Sequence, residues 1–174
     1  LLLNLINDVI DLSKIESGYI ELHPDWVNLT ELLNESVAEY VHQVPSGVEL
    51  LTNYPEHAFL AELDKLRIKQ IVSNFLSNAL KNTTTGHVEV FYEIDHQFVR
   101  IGVKDTGRGI PQNMLEKIFE RFEKLDSFVQ GAGLGLSICK LIVEKMNGRI
   151  LVDSQLGIGT TFVIELPCHS IPVE

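Results

Sequence analysis

The stretch NFLSNALKN, Asn74–Asn82, decides how this chain is read. It sets asparagines at i, i+4 and i+8 of a segment whose apolar residues recur at helical spacing. Asparagine is a poor helix-interior residue, because its amide competes for backbone hydrogen bonds. At about 100° per residue, Ile68, Ile71, Val72, Phe75, Leu76, Ala79 and Leu80 fall on one broad arc. Arg67, Gln70, Asn74, Asn78, Lys81 and Asn82 fall on the other. The plain alternative is an ordinary solvated face. Such faces favour Glu, Lys, Arg and Gln, which cost less helix propensity. An amide-rich face without carboxylates, carrying Lys81 and Arg67, suits a polyanion bridged by a hard cation. Asn offers a neutral oxygen to Mg²⁺, which takes oxygen ligands and keeps several waters. Lys81 adds a point charge.

Working outward, Asp64 is placed to cap this helix, and Gly and Asn punctuate the segments on its C-terminal side. His87 to Asp95 and Phe98 to Lys104 read as a strand pair, and VELLTNY and AFLAEL as short strands before the helix. Asn28 or Thr30 caps an earlier helix running to about Gln43, ended by Pro45-Ser46-Gly47. Residues 19–27 read as a linker with strand character. Leu1 to Glu16 is expected to be helical, with Leu2, Leu5, Val9 and Leu12 forming a seam suited to a helical bundle and Gly18 as its stop. Beyond the strand pair, Gln112 to Arg121 and Leu134 to Met146 are expected helices. Arg149 to Asp153 and Thr160 to Leu166 are expected strands. The order mixes helices and strands without strict alternation, which argues α+β, one mixed sheet with helices over one face.

The 174 residues suffice for one domain with an appendage, and the apolar and charged fractions, 45% and 22%, are those of a globular protein. The net charge of −10 and the lack of a basic run argue against nucleic acid as a partner. No apolar run approaches the roughly 20 residues that span a bilayer. Cys139 and Cys168 match no metal spacing and read as buried thiols of a reducing compartment, which points to the cytoplasm. The chain opens on Leu1 in mid-pattern and reads as a piece of something longer.

Three glycine loops accompany the asparagine face. VKDTGRGIP follows a strand and sets Asp105 at its end, with Gly107 and Gly109 just beyond. Glycines admit close backbone approach, and a buried carboxylate accepts from an exocyclic amine. An Asp-Gly turn with no ligand is the alternative. GAGLGLSICKLIVEK sets Gly131, Gly133 and Gly135 at a helix opening, an anion site by its free N–H groups and dipole, though a glycine string alone is weak evidence. GIGTTF lies between two strands and reads by default as a hairpin turn.

In this order the motifs resemble those of the ATP-binding domain of the sensor histidine kinases, within the GHKL ATPase superfamily. The resemblance runs from about Asn28 to Pro167. NFLSNALKN resembles the family's N box, DTGRGI its first G box, IFERF its F box, GAGLGLSI its second G box and GIGTTF its last. LINDVIDLSKIESG resembles the end of the second dimerisation helix.

That resemblance implies a two-layer α/β sandwich of Bergerat type over residues 28–174, behind a linker at 19–27 and the end of a dimerisation helix at 1–18. It implies ATP and Mg²⁺ as ligands. Asn78 would ligate Mg²⁺ with Asn74 in support, Lys81 would contact phosphate, and Arg121 would reach toward the γ-phosphate. Asp105 would bind the adenine amine, with Gly107, Gly109 and Ile110 lining its pocket and Thr160 flooring it. Gly131, Ala132, Gly133, Leu134, Gly135 and Leu136 would wrap the phosphates. Phe119 and Phe122 would anchor the lid, whose residues 125–131 are short for the family. Asn82 stands where the family usually has an aromatic residue or His, as a looser wall or a helix end, and Ala132 stands where it usually has Thr.

The hydrolysing relatives carry a Glu four residues before the metal-binding Asn, as general base. Asn74 stands there, and an amide cannot take that proton, so the resemblance implies a kinase more than a hydrolase. None of His23, His42, His57, His87, His96 or His169 has the acceptor's HE or HD context. The acceptor is expected on a dimerisation domain upstream of Leu1, in a homodimeric parent whose anchorage in the inner membrane stays open, and the receiver domain of a response regulator is the expected partner in the relay. A non-catalytic nucleotide-binding or dimer-control module is the rival.

Overall fold

The computed structural model describes Ile10, Ser13 and residues 21–95, 97–120 and 134–173. The expected N-terminal seam, Leu2, Leu5, Val9 and Leu12, lies outside these residues, as do the lid, Phe122, Arg121, Gly131, Ala132 and Gly133.

Strand β1 (Asp25–Asn28) leads into helix α1 (Leu29–Tyr40), which ends in a 3-10 turn at Val41–Gln43. Strands β2 (Val48–Asn53) and β3 (Phe59–Leu63) precede helix α2 (Lys65–Asn82). Then come β4 (Gly86–Asp95), β5 (Phe98–Asp105), helix α3 (Gly135–Lys145), β6 (Arg149–Gln155), β7 (Gly159–Pro167) and β8 (Ser170–Pro172). Asn28 caps α1 through Glu31 N–H, and Asp64 caps α2 through Arg67 N–H at 3.0 Å. The second Asp64 oxygen accepts from His23 N–H at 2.9 Å, fastening the incoming chain to the start of α2.

The main sheet has the order β2-β4-β5-β7-β6, with β2 parallel to β4 and the other pairs antiparallel. Its period-2 alternation sends Tyr92, Ile101, Ile164 and Ile150 to one face in one cross-strand row, and Val90, Val103, Phe162 and Val152 in the next. The buried face of α2 consists of Ile68, Ile71, Val72, Phe75, Leu76, Ala79 and Leu80, the arc expected from the sequence. Phe75 stacks on Phe162 at 5.2 Å between centroids, so helix and sheet share one apolar core. On the opposite face Glu165 is buried between Arg100, at 2.7 Å, and Arg149, at 2.6 Å, and the two guanidinium groups hold its carboxyl below the ordinary range.

Two features depart from expectation. A second sheet, order β1-β3-β8, holds the strands that lead into α1 and α2, and its last strand was not read from the sequence. β8 is only three residues long, too short to show alternation, and exists because it pairs with β3. The expected helix at 112–121 is instead two 3-10 turns, Gln112–Met114 and Lys117–Phe119. Ile118 is the one buried residue of these turns, so no continuous apolar stripe holds a longer helix down. Phe119 sets its ring edge-on to Phe162 at the border of the core.

Candidate functional site

The asparagine face is internally organised. Asn74 and Asn78 are half-buried, one turn apart, and the Asn78 Nδ2 donates to Asn74 Oδ1 at 3.3 Å. The Asn78 amide nitrogen is therefore used in orienting the group, and its Oδ1 is the atom left to accept. Asn82 folds back on the helix and donates through Nδ2 to the Asn78 carbonyl at 2.8 Å. Lys81 is exposed beside it. No carboxylate lies on this face of α2, so nothing there can take a proton from water.

Gly135, the first residue of α3, lies against Asn74: a Cβ at Gly135 would overlap the Asn74 amide. The glycine lets the opening of α3 meet the polar face of α2, a nearer reason for it than contact with a phosphate. Leu134 before it is fully buried in the core, while Leu136 is half-buried at its edge.

The second half of the site is the last row of the main sheet. The row pairs Val88, Asp105, Thr160 and Ser154 across β4, β5, β7 and β6, on the face covered by helices. The rows before it are apolar; this one turns to carboxylate, hydroxyl, hydroxyl. Asp105 is buried, and its Oδ1 accepts from Gly107 N–H at 2.8 Å and Thr160 N–H at 3.3 Å. Burial, outweighing those two bonds, raises the Asp105 carboxyl above its ordinary value. Its Oδ2 accepts no hydrogen bond among the described residues.

The Asp-Gly loop is clamped on both sides. The Arg108 N–H donates to the Asn82 carbonyl at 3.1 Å, joining the loop to the end of α2. Gly107 sits so close to that carbonyl that no side chain fits. Gly109 has φ +70 and faces the Gln155 carbonyl, so its freedom serves the approach of loop to hairpin. The Arg108 carbonyl accepts from Gly157 N–H at 2.7 Å, and Ile110 N–H donates to Ser154 Oγ at 2.8 Å. A cavity of about 410 Å³ opens at this junction, lined by Lys81, Asn82, Thr84, Thr85, Thr106, Gly107, Arg108 and Gly157. It shares Lys81, Asn82 and Gly107 with the candidate site but is not lined by Asp105 or Thr160.

Sequence reading missed Ser154 and Thr106. Ser154 carried a signal: it is the inward position after Ile150 and Val152 on an alternating strand, where an apolar residue is expected. Thr106 carried none; its hydroxyl accepts from His87 N–H at 2.9 Å and holds the loop to β4.

An amide face on a helix, a buried carboxylate at a strand end and a glycine loop joining them thus stand together at one end of the main sheet. The chain belongs to the family of histidine kinase-, DNA gyrase B-, and HSP90-like ATPases, which matches residues 63–170. Within it the chain is homologous to sensor histidine kinase catalytic domains. It is 35% identical over 176 residues to Sensor protein EvgS of Escherichia coli (strain K12), across 95% of this chain and 15% of that protein. To Sensor histidine kinase WalK of Bacillus subtilis (strain 168) it is 33% identical over 173 residues, across 95% of this chain and 28% of that protein. The chain thus spans less than a third of the length of these relatives. Among solved structures it is similar to full-length ShkA in complex with AMPPNP, with TM-score 0.87, 33% identity and coverage of 99% of this chain and 37% of that one. It is also similar to the catalytic domain of histidine kinase ThkA, with TM-score 0.75, 30% identity and coverage of 84% and 96%. Among the described residues no helix is long and apolar enough to cross a membrane.

Proposed function

We propose that this chain is the ATP-binding catalytic domain of a sensor histidine kinase, passing the γ-phosphoryl group of ATP to a histidine on a dimerisation domain for relay to a response regulator receiver domain. The observation that carries this reading is the joint presence of the Asn74–Asn78 amide pair and the open Asp105 oxygen, linked by the Asn82–Arg108 clasp. The base would sit at Asp105, with the exocyclic amine donating to Oδ2. The phosphates would lie along the amide face, where Lys81 offsets their charge. The parent chain would be a homodimer of which this domain supplies the nucleotide half.

The residues present fit a magnesium ion carried by the nucleotide. Among the described residues no cluster of three or more His, Cys, Asp or Glu could hold a metal by itself. The oriented Asn78 Oδ1 offers one neutral oxygen, which suits a cation that otherwise keeps phosphate oxygens and waters. When bound, Mg²⁺ supplies charge neutralisation between the phosphates. This chain's residues do the rest. Asn74 holds the Asn78 amide in one orientation. Lys81 and Arg121 would flank the phosphoryl group, and Gly131, Ala132, Gly133 and Leu136 would close over it. Phosphoryl transfer demands chiefly positioning and charge neutralisation. With an amide at Asn74, water is not activated, so ATP is kept for the histidine.

Titration of a fluorescent ATP analogue tests this reading. Micromolar binding that strengthens with Mg²⁺ and is competed by ATP is the expected result. No binding with or without the metal would leave only a non-catalytic module.

A further inference from the structure

We propose that Ser154 sets the base preference of the nucleotide site by fixing the direction of the Thr160 hydroxyl proton. The inference rests on reading the Asp105 end of the sheet as the adenine site, and it concerns a residue that touches no nucleotide itself.

Ser154 is buried on β6 and its Oγ meets three groups. The Ile110 N–H, at 2.8 Å, can only donate. The Gly159 carbonyl, at 3.1 Å, can only accept. The Thr160 hydroxyl, at 2.8 Å, can do either. A serine hydroxyl has one proton and two lone pairs. The proton goes to Gly159, and one lone pair takes the Ile110 N–H. The contact with Thr160 then bonds only if Thr160 donates. With its proton spent on Ser154, Thr160 Oγ1 has only acceptor capacity left.

Asp105 lies directly across from Thr160 in the ladder, with its Oδ1 filled by backbone N–H groups and its Oδ2 open. The end of the sheet therefore presents two acceptors side by side. An amino group, with two protons to give directly or through a water, complements that pair. A carbonyl in the same place meets two acceptors and no donor, and a buried polar group left unpaired is costly. The pair therefore favours a 6-amino purine over a 6-oxo purine. Removal of the Ser154 hydroxyl releases the Thr160 proton to turn toward the base, and the carbonyl becomes acceptable.

Ser154 is thus a positioning residue, and the ratio of affinities is the readout that separates this role from general support of the fold. Mg-ATP and Mg-GTP are titrated calorimetrically into the unmutated chain and into Ser154→Ala, Ser154→Thr, Thr160→Ser, Thr160→Val and Asp105→Asn. The unmutated chain should prefer ATP. Ser154→Ala should shrink that preference by about tenfold, the scale of one mismatched hydrogen bond. Ser154→Thr and Thr160→Ser keep the hydroxyl pair and should keep the preference. Thr160→Val, which leaves Ser154 in place, should reduce it too, and this arm stands if Ser154→Ala does not fold. Equal weakening of both nucleotides by Ser154→Ala, or full preference in Thr160→Val, overturns the proposal while the adenine site stands. No preference in the unmutated chain, or unchanged ATP affinity in Asp105→Asn, overturns the adenine site and the proposal with it.

Discussion

Asn74 of α2 and Gly135 of α3 touch with no room for a side chain at the glycine. The polar face of one helix is thus built against the opening of the next, and the Asn74 amide that meets this glycine also orients Asn78. Gly135→Ala should push α3 away from α2. Overpacking of this kind costs about 1–3 kcal/mol. Chemical denaturation should show a loss of that size, accompanied by weaker ATP binding. A variant as stable as the unmutated chain would mean that Asn74 swings aside freely.

Asn78→Ala removes the neutral oxygen that the Asn74 bond orients on the amide face. It should leave the unfolding midpoint nearly unchanged, because Asn78 is half-buried and outside the core. The Mg²⁺-dependent part of ATP affinity should fall by about tenfold or more, the weight of one ligand contact of about 1.4 kcal/mol. Titrations with and without Mg²⁺ separate the two effects. Equal magnesium enhancement in the variant would exclude Asn78 as a ligand.

Asp105 should oppose stability and serve binding. Burial raises its carboxyl above the ordinary value of 3.8, so the fold favours the protonated form. Its stabilising contribution is complete below that ordinary value and is lost as pH rises through the raised value. At neutral pH the ionised group costs stability. Asp105→Asn should then melt at or above the temperature of the unmutated chain at pH 7, yet bind ATP more weakly. ATP affinity should run the other way with pH, declining as pH falls through the raised value. A variant that melts well below the unmutated chain at pH 7 contradicts this sign.

Tyr54 carries a buried hydroxyl with no hydrogen-bond partner among the described residues, 5.4 Å from Tyr92 between ring centroids, and burial raises it to about 12. Tyr54→Phe removes an unsatisfied polar group and should stabilise the chain by about 1 kcal/mol. Urea unfolding measures this, and a clear destabilisation would show that the hydroxyl is satisfied in solution.

Much of this was legible in the sequence because it depends on periodicity. The 3.6-residue pattern of Ile68 to Leu80 and the Asp64 cap gave α2 and its two faces. Alternation gave β4, β5, β6 and β7, and the order of the glycine loops gave the family. The features that were not legible depend on distant pairing. β8 is a strand only because β3 lies beside it. The turns at Gln112–Met114 and Lys117–Phe119 mimicked a helix because Leu115, Ile118 and Phe119 fall at helical intervals over too short a run. Gly109 and Gly135 were legible as glycines but not as packing contacts with Gln155 and Asn74, which lie tens of residues away in sequence. Ser154 signalled itself only as a polar residue on an inward strand position.

The central claim is that this domain holds ATP for transfer to a histidine, and one labelling measurement tests it most directly. The chain is incubated with Mg²⁺ and γ-labelled ATP, with and without the histidine-bearing dimerisation domain of its parent, and both label and free phosphate are tracked. Acid-labile label on the dimerisation domain, dependent on Mg²⁺ and lost in Asn78→Ala, with little free phosphate, is the predicted result. Rapid phosphate release without label, or no use of ATP at all, would contradict it.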